Sequence, residues 1–159
     1  MIKGYKPFLI KKLKEGSSVI DSSKWNIYVK HVPFQIASEV KNVNTETWFA
    51  ENGDDEFVPN SLLYKAYEMV CDFVFIGTHG TANAKINEFI AYLTKDGMFS
   101  IYDTYTNIGR TNVRLSKGVD NPSVMYRKDG ENDIVVFSVS LKVNDPITEI
   151  KLTNDNSIL

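Results

Sequence analysis

Two histidines and one cysteine are the side chains best suited to catalysis, and their spacing argues against a reaction centre. His31 and His79 lie in no metal-spaced cluster with cysteine or acidic residues. No partner nucleophile for His79 can be identified from the pattern. Cys71 falls within an alternating apolar segment, which is typical of a buried and inert thiol. We therefore expect no catalytic residue, no metal ligand and no cofactor.

The acidic run between Glu51 and Glu56 is the best candidate for a cation site. It contains carboxylates of the kind that bind Ca²⁺, but it lacks the spacing and the closing glutamate of an EF-hand loop. The pattern favours a solvated loop and leaves calcium binding by residues 51–56 open.

Asp103 and two arginines form the most distinctive charged set. Arg110, Asn112 and Arg114 recur with a period of two, which predicts that the three share one face of a strand whose other face carries Val113 and Leu115. Two arginines in register can form bidentate hydrogen bonds with carboxylates of a neighbouring element or subunit. The alternative is an ordinary exposed polar face.

Two long alternating segments and one helix must position these residues. The segments at 62–76 and 135–143 predict strands, because apolar residues recur there with a period of two. Apolar residues at helical spacing predict one amphipathic helix at about 82–95, with Thr81 as its N-cap and Gly97 in the left-handed conformation after its end. These elements predict an α+β fold that is mostly β.

The first long strand has two different faces. One is apolar and is the better candidate for the core, whereas the other carries Glu68 and Asp72, which are costly to bury unpaired. The core-facing set is Leu63, Tyr67, Met69, Cys71, Phe73 and Phe75.

The remaining segments are predicted to be peripheral. We expect an extended N-terminal arm at 1–24, a long polar loop at 41–60 that contains Trp48, a short last strand at 147–152 and a flexible tail at 153–159.

The composition indicates one ordinary globular domain over residues 1–159. Apolar residues make up 43% and charged residues 24% of the chain, and the net charge is -2, which argues against gripping nucleic acid through its phosphates. A single cysteine cannot form an internal disulfide. No apolar run resembles a signal peptide or a membrane helix, so we expect synthesis in a cytoplasm and no membrane partner.

Taken in order, these elements resemble the tail-tube superfamily of tailed bacteriophages, most closely the distal tail (baseplate adaptor) proteins. The resemblance lies in the strand ending Phe73–Gly77, the helix that follows, the strand carrying Tyr102 and Asp103, the arginine-valine strand, and a last strand ending in Asp145-Pro146. It covers about residues 25–152.

The N-terminal half shows a second, narrower resemblance. Residues 25–34, Trp48 and Gly53–Asp55 are similar to small tail proteins from phages and prophages of Bacteroides-type bacteria. We expect no separate C-terminal carbohydrate-binding domain of the kind that many distal tail proteins carry. The resemblance therefore leaves open a distal ring, a tube subunit or a tail terminator.

The resemblance implies a β-barrel or sandwich clasped by the helix, which assembles with copies of itself and other tail proteins into a ring, usually sixfold, around a DNA channel in the virion tail. Carboxylates facing such a lumen would let double-stranded DNA pass without sticking. We assign the lumen to Glu68 and Asp72. The candidates for subunit contacts are Trp48, Asp103, Arg110, Asn112 and Arg114.

Two other classes of function stay open at this point. One is a monomeric binding module, such as an intracellular immunity protein or a β-sandwich sugar binder, with Trp48 and Tyr105 lining a groove. The other is a small hydrolase built around Cys71 or His79.

Overall fold

The computed structural model describes residues 5–129 and 132–152, and β-strands dominate its regular structure. Nine strands and one α-helix follow one another within these described residues. They are β1 (Phe8–Lys12), β2 (Ile20–Asp21), β3 (Ile27–His31), β4 (Asn44–Glu46), β5 (Asp55–Phe57), β6 (Tyr67–Thr78), α1 (Ala82–Thr94), β7 (Phe99–Asp103), β8 (Ile108–Asp129) and β9 (Asn132–Val143). The predicted α+β, mostly β class is confirmed.

Seven strands form one antiparallel sheet in the order β2-β1-β7-β8-β9-β6-β3. At the β3 edge, the backbone N–H of Val29 donates to the carbonyl of Lys6, just before β1, at 3.0 Å. Because Lys6 precedes a strand on the other side of the sheet, this bridge curls the sheet back on itself. The result is a sheet that closes on itself through this one described bridge, which is compatible with the barrel or sandwich that the resemblance implied; we refer to it as the barrel.

Helix α1 lies where the sequence predicted it, at about 82–95, and its apolar stripe packs on the sheet. Phe89 in this stripe is fully buried. Its ring centroid lies 5.6 Å from that of Phe73 and 5.8 Å from that of Phe8. Both pairs have an edge-to-face geometry, which contributes about 0.5–1.5 kcal/mol per pair beyond the burial of apolar area. The helix is therefore held by an aromatic cluster at the centre of the core.

The two ends of α1 are held by different contacts. Thr81 occupies the N-cap position, but its hydroxyl donates to the carbonyl of Thr78 at 2.7 Å, so the predicted capping bond to the helix is absent. At the other end, Gly97 adopts the left-handed conformation as predicted. There the ammonium of Lys12 donates to the carbonyls of Leu93 and Gly97, each at 3.2 Å. A buried cation thus stabilises the negative end of the helix.

The expectation of an N-terminal arm at 1–24 is wrong for the residues described. β1 pairs with β7 within the seven-stranded sheet, and Phe8 and Ile10 are fully buried. Trp25 closes a short 3₁₀ turn and packs its ring against Phe89 at 5.4 Å. The lysines suggested an exposed arm, but Phe8 and Ile10, two positions apart on one face of β1, both lie in the core. Residues 1–4 lie outside the described part of the chain.

Two further segments differ from expectation. Residues 41–60, predicted to be a loop, contain β4 and β5, which pair with each other as a separate antiparallel hairpin. Residues 147–152, predicted to be a strand, belong to none of the described strands, and Ile150 packs instead on Leu9 and Tyr102. The predicted flexible tail at 153–159 lies outside the described residues.

Candidate functional site

Glu68 and Asp72, the predicted lumen residues, project from the side of β6 that faces away from the core. Glu68 is exposed and Asp72 is half-buried. The Ser116 hydroxyl donates to Glu68 Oε1 at 3.0 Å, and the Ser138 hydroxyl donates to Asp72 Oδ1 at 2.6 Å. Lys65, which could have neutralised one of them, contacts Glu39 instead, at 3.0 Å. Both carboxylates therefore lie on a hydroxyl-rich outer face of the sheet.

The neighbouring strands give this face both signs of charge. Glu68 lies opposite Lys142 of β9, which in turn lies opposite Arg114 of β8. Val70, which is 56% exposed, lies opposite Ser140 between the two carboxylates. Opposite charges on adjacent strands stabilise a sheet face. The surplus of carboxylates expected from β6 alone is thus offset by cations on β8 and β9.

Arg110 is buried, which contradicts its predicted place on an exposed polar face. Only 5% of the residue is exposed. Its Nη1 donates to the carbonyl of Gly109 at 2.9 Å, and its Nη2 donates to the carbonyl of Gln35 at 3.0 Å. Nε has no hydrogen-bond partner among the described residues. The guanidinium holds two parts of its own chain together, so it is poorly placed to contact a neighbouring subunit.

A bulge in β8 explains why Arg110 and Arg114 do not share a face. The step Phe99–Ile101 of β7 lies opposite the longer step Arg110–Val113 of β8, so β8 contains an extra residue. Asn112 lies in this stretch with a φ of 53°, in the left-handed region. One extra residue turns all later side chains to the other face. Arg114 therefore faces outward, and Arg110 faces the interior.

Asp103 is also buried, and its carboxylate is used within its own turn. Oδ1 accepts a hydrogen bond from the backbone N–H of Tyr105 at 3.0 Å, and Oδ2 accepts one from the Thr106 hydroxyl at 2.9 Å. A short polar side chain that bonds the backbone two residues on is typical of a turn. Asp103 is therefore poorly placed for its predicted role as a direct subunit contact, because it is buried and both carboxylate oxygens already accept hydrogen bonds.

Trp48, in contrast, is exposed as a subunit contact must be. It lies at the tip of the β4–β5 hairpin and is 54% exposed, and its indole N–H donates to Asp55 at 3.0 Å. Phe49 and Phe57 of the same hairpin are exposed as well. Sequence reasoning identified the tryptophan but missed both phenylalanines. The turn signal at residues 52–55 could have predicted the hairpin and so the exposure of its short strands.

A cavity that the sequence did not reveal opens between β3 and the turn after β7. Its volume is about 270 Å³. Tyr5 and Tyr105 line it, together with the cationic side chains of Lys6 and Lys30 and with His31. The Lys6 ammonium lies 5.7 Å from the centroid of the Tyr105 ring, a cation–π arrangement. These residues are far apart in the sequence, and only the barrel closure brings them together.

The residues that could have supported a hydrolase are not arranged for it. Cys71 is fully buried, and burial raises the pKa of its thiol, so the thiolate that reacts is disfavoured. The exposed ring of His79 contacts Asp133 at 2.9 Å, and this hydrogen bond raises the pKa of the histidine. Within residues 5–129 and 132–152, no group of three or more histidine, cysteine or acidic residues could hold a metal.

The described segments also include no helix that is long and apolar enough to cross a membrane.

Comparison with known proteins finds a solved structure of similar fold. No family model and no curated protein matches the chain. Among solved structures, the fold is similar to that of a phage adsorption protein.

The particular structure is SPP1 Dit, presented as a paradigm of the hub adsorption apparatus in phages that infect Gram-positive bacteria. The TM-score is 0.50 at 14% sequence identity, and the match covers 87% of this chain. It covers 50% of SPP1 Dit, so the chain spans about half the length of that protein. The likeness is one of fold, and it gives no support to the predicted Bacteroides-type origin, which stays a prediction.

Proposed function

We propose that this chain is a structural protein of a bacteriophage tail that assembles into a ring around the DNA channel. The observation that carries the proposal is the fold: a helix-braced antiparallel barrel similar to SPP1 Dit over 87% of the chain. The order of sequence elements independently resembles distal tail proteins. We assign the chain to the distal, baseplate-adaptor position, and a tube subunit or a tail terminator are the other outcomes of the tests below.

The outer face of β6, β9 and β8 is the proposed lumen wall. Glu68 and Asp72 present carboxylates there, and serine hydroxyls bind both of them. Lys142 and Arg114 balance part of this charge. A wall without a basic surplus lets DNA pass without releasing its counterions, and so without tight binding. Double-stranded DNA is therefore a passing partner and not a specific ligand.

Subunit contacts in the proposed ring are heterologous, because a ring closes by rotation. The residues that we assign to them are the exposed Trp48 and Arg114 and the half-buried Asn112. Trp48 projects on a hairpin that pairs with no other strand of the described sheet, which suits an element that reaches a neighbour. We propose sixfold rings, contacts with other tail proteins, and a place in the virion after synthesis in the host cytoplasm.

One observation favours the alternative of a monomeric binding module. The cavity lined by Tyr5 and Tyr105 is exposed and aromatic, like the surfaces that bind small polar ligands. Trp48, which was expected to share a groove with Tyr105, does not line it. A monomer that binds a sugar in this cavity, and that is absent from virions, would support this alternative over the tail protein.

Localisation in purified particles tests the proposed function. Phage particles produced with an epitope tag on the chain should carry the label at the distal end of the tail in negative-stain micrographs. Label along the whole tube, or at the head-proximal end, would reassign the subunit to the tube or the terminator. Particles without the chain by mass spectrometry, together with normal tails after deletion of its coding sequence, would overturn the proposal.

A further inference from the structure

The hairpin formed by β4 and β5 (residues 44–57, the acidic hairpin) exposes large aromatic side chains to water. Phe49 is fully exposed, at 107% of its reference area, and Trp48 and Phe57 are also exposed. Clustered exposed apolar side chains mark sites where another molecule binds. Hydrogen bonds from Thr47 to Asp54, at 2.8 Å, and from Trp48 to Asp55, at 3.0 Å, hold the tip in shape. A preordered tip loses little conformational entropy on binding.

The acidic hairpin carries charge of one sign only. No lysine or arginine occurs between residues 44 and 57. Its carboxylates are Glu46, Glu51, Asp54, Asp55 and Glu56. Two copies of this hairpin would therefore repel each other, so a symmetric hairpin-to-hairpin contact is disfavoured. A surface that complements the acidic hairpin would therefore have an aromatic recess for its aromatic rings and cationic side chains around that recess for its carboxylates.

The same chain provides such a recess in the cavity lined by Tyr5, Lys6, Lys30, His31 and Tyr105 (the tyrosine cavity). Its volume of about 270 Å³ is larger than the roughly 150 Å³ of an enclosed cavity that accepts benzene, so its volume is sufficient for one aromatic side chain.

One carboxylate, that of Asp103, also lines the tyrosine cavity. Its two oxygens accept hydrogen bonds from Tyr105 and Thr106, so it is turned into its own turn. Lys6 and Lys30 therefore remain as the cations that an incoming acidic segment meets.

We propose that the acidic hairpin of one copy docks on the tyrosine cavity of a second copy, with the Phe49 ring inserted between the two tyrosines and the carboxylates facing Lys6 and Lys30. Within a single copy Phe49 is fully exposed, so the hairpin does not fill its own cavity. After one contact between these two different surfaces, the pair of copies still has one free hairpin and one free cavity, so the contact can propagate. The inference rests on the proposed ring, because it names the contact that builds it.

Site-specific cross-linking between separately purified variants tests the docking. Ala50→Cys places a thiol beside Phe49 without removing it, and His31→Cys places one at the cavity rim. The native Cys71 is fully buried and does not compete for a maleimide reagent. The two variants are mixed at the highest soluble concentration and treated with a short bismaleimide. The matched control replaces His31→Cys by Ile147→Cys, an exposed apolar position that does not line the cavity.

The expected result is a mixed dimer from the A50C and H31C pair, well above the yield of the A50C and I147C control. Adding Phe49→Ala to the A50C chain should reduce the product about tenfold or more, as for an aromatic anchor in an interface. High salt should reduce it as well, because opposite charges meet at the contact. Yields equal to the control, a product insensitive to F49A, or a dominant A50C homodimer would each overturn the docking.

The outcomes separate this inference from the proposed function. If the chain is found in virions and F49A particles assemble normally, the docking is wrong and the tail function stands. If the specific cross-link forms but the chain is absent from virions, the contact is real and the tail function is wrong. The second result would identify a self-assembling protein of another kind.

Discussion

Replacing Lys12 by methionine tests whether one buried cation ties the helix to the barrel. Lys12 lies on β1 and is only 4% exposed. Its ammonium donates to the carbonyl of Leu93 in the last turn of α1. Methionine is close in length and shape but has neither charge nor hydrogen-bond donors. The substitution therefore removes the polar contacts and keeps most of the packing.

The expected loss follows from the contacts. Two hydrogen bonds from a charged donor, at 3.2 Å each, are worth about 3 kcal/mol together. Cation–π contacts with Tyr92 at 5.0 Å and Phe99 at 5.1 Å add about 1 kcal/mol. Relief from burying the charge offsets roughly 2 kcal/mol. We expect K12M to lower the free energy of unfolding by about 2 kcal/mol, which lowers Tm by about 4–8 °C for a chain of this size.

Urea denaturation followed by circular dichroism measures this loss, and Lys14→Met provides the matched control. Lys14 forms an exposed ion pair with Asp96 at 3.2 Å, and such pairs contribute little to stability. We expect K14M to change the free energy of unfolding by less than about 0.5 kcal/mol.

The pH dependence gives K12M a second readout. Burial lowers the pKa of Lys12 below its ordinary value of 10.5, partly opposed by the charge of Asp96. Just below pH 10.5 the unfolded chain therefore binds more protons at this site, and the site's contribution to stability rises with pH. K12M should lack this rise. If K12M proved no less stable than K14M, the helix would be held by its apolar face alone, and the reasoning from the buried ammonium would be refuted.

Three further predictions concern other buried or paired side chains. Arg110→Ala should lower the free energy of unfolding by about 2 kcal/mol in urea titrations, because it removes the guanidinium that donates to the carbonyls of Gly109 and Gln35. Substitution of the exposed Arg114 by alanine should change the free energy of unfolding little. Equal effects of the two substitutions would contradict the assignment of the bulge between them. Cys71 should react with a thiol reagent in urea but not in native buffer, and rapid native labelling would show that the strand opens easily. Asp133→Asn should lower the pKa of His79, measured by NMR titration, toward its ordinary 6.5. Since Asp133 raises the pKa of His79, the histidine's contribution to stability is present below pH 6.5 and is lost as pH rises through the raised value. A pKa of His79 that is the same in D133N and in the wild type would show that the contact with Asp133 is not populated.

Alternation along single strands was enough to predict much of the fold. The core face of β6 was read correctly from Tyr67 to Phe75, because a period of two assigns each side chain to a face. Leu63, placed in the same set, is exposed, since β6 begins only at Tyr67. Helix α1 was found from its 3.6-residue stripe. Local periodicity predicts faces and elements but not the points at which an element starts.

The candidate site was less predictable, because it depends on features with no local signal. The extra residue near Asn112 reversed the faces of Arg110 and Arg114, and a strand pattern does not show a bulge until its partner strand is known. The lysines around Phe8 obscured a barrel strand whose partner, β7, lies some ninety residues further along the chain. The tyrosine cavity needs three separate segments to meet.

The closure between Lys6 and Val29 is the joint of the barrel with the fewest described hydrogen bonds. Other neighbouring strands are joined by ladders of paired residues, whereas one bridge is described where β3 meets the chain before β1. A joint held by so few hydrogen bonds is where native-state hydrogen exchange begins. Lys6 and Val29 also line the tyrosine cavity. A neighbouring copy bound in this cavity would stabilise the bridge between Lys6 and Val29. Each subunit added to a growing assembly would therefore make local opening of the subunit that receives it less frequent.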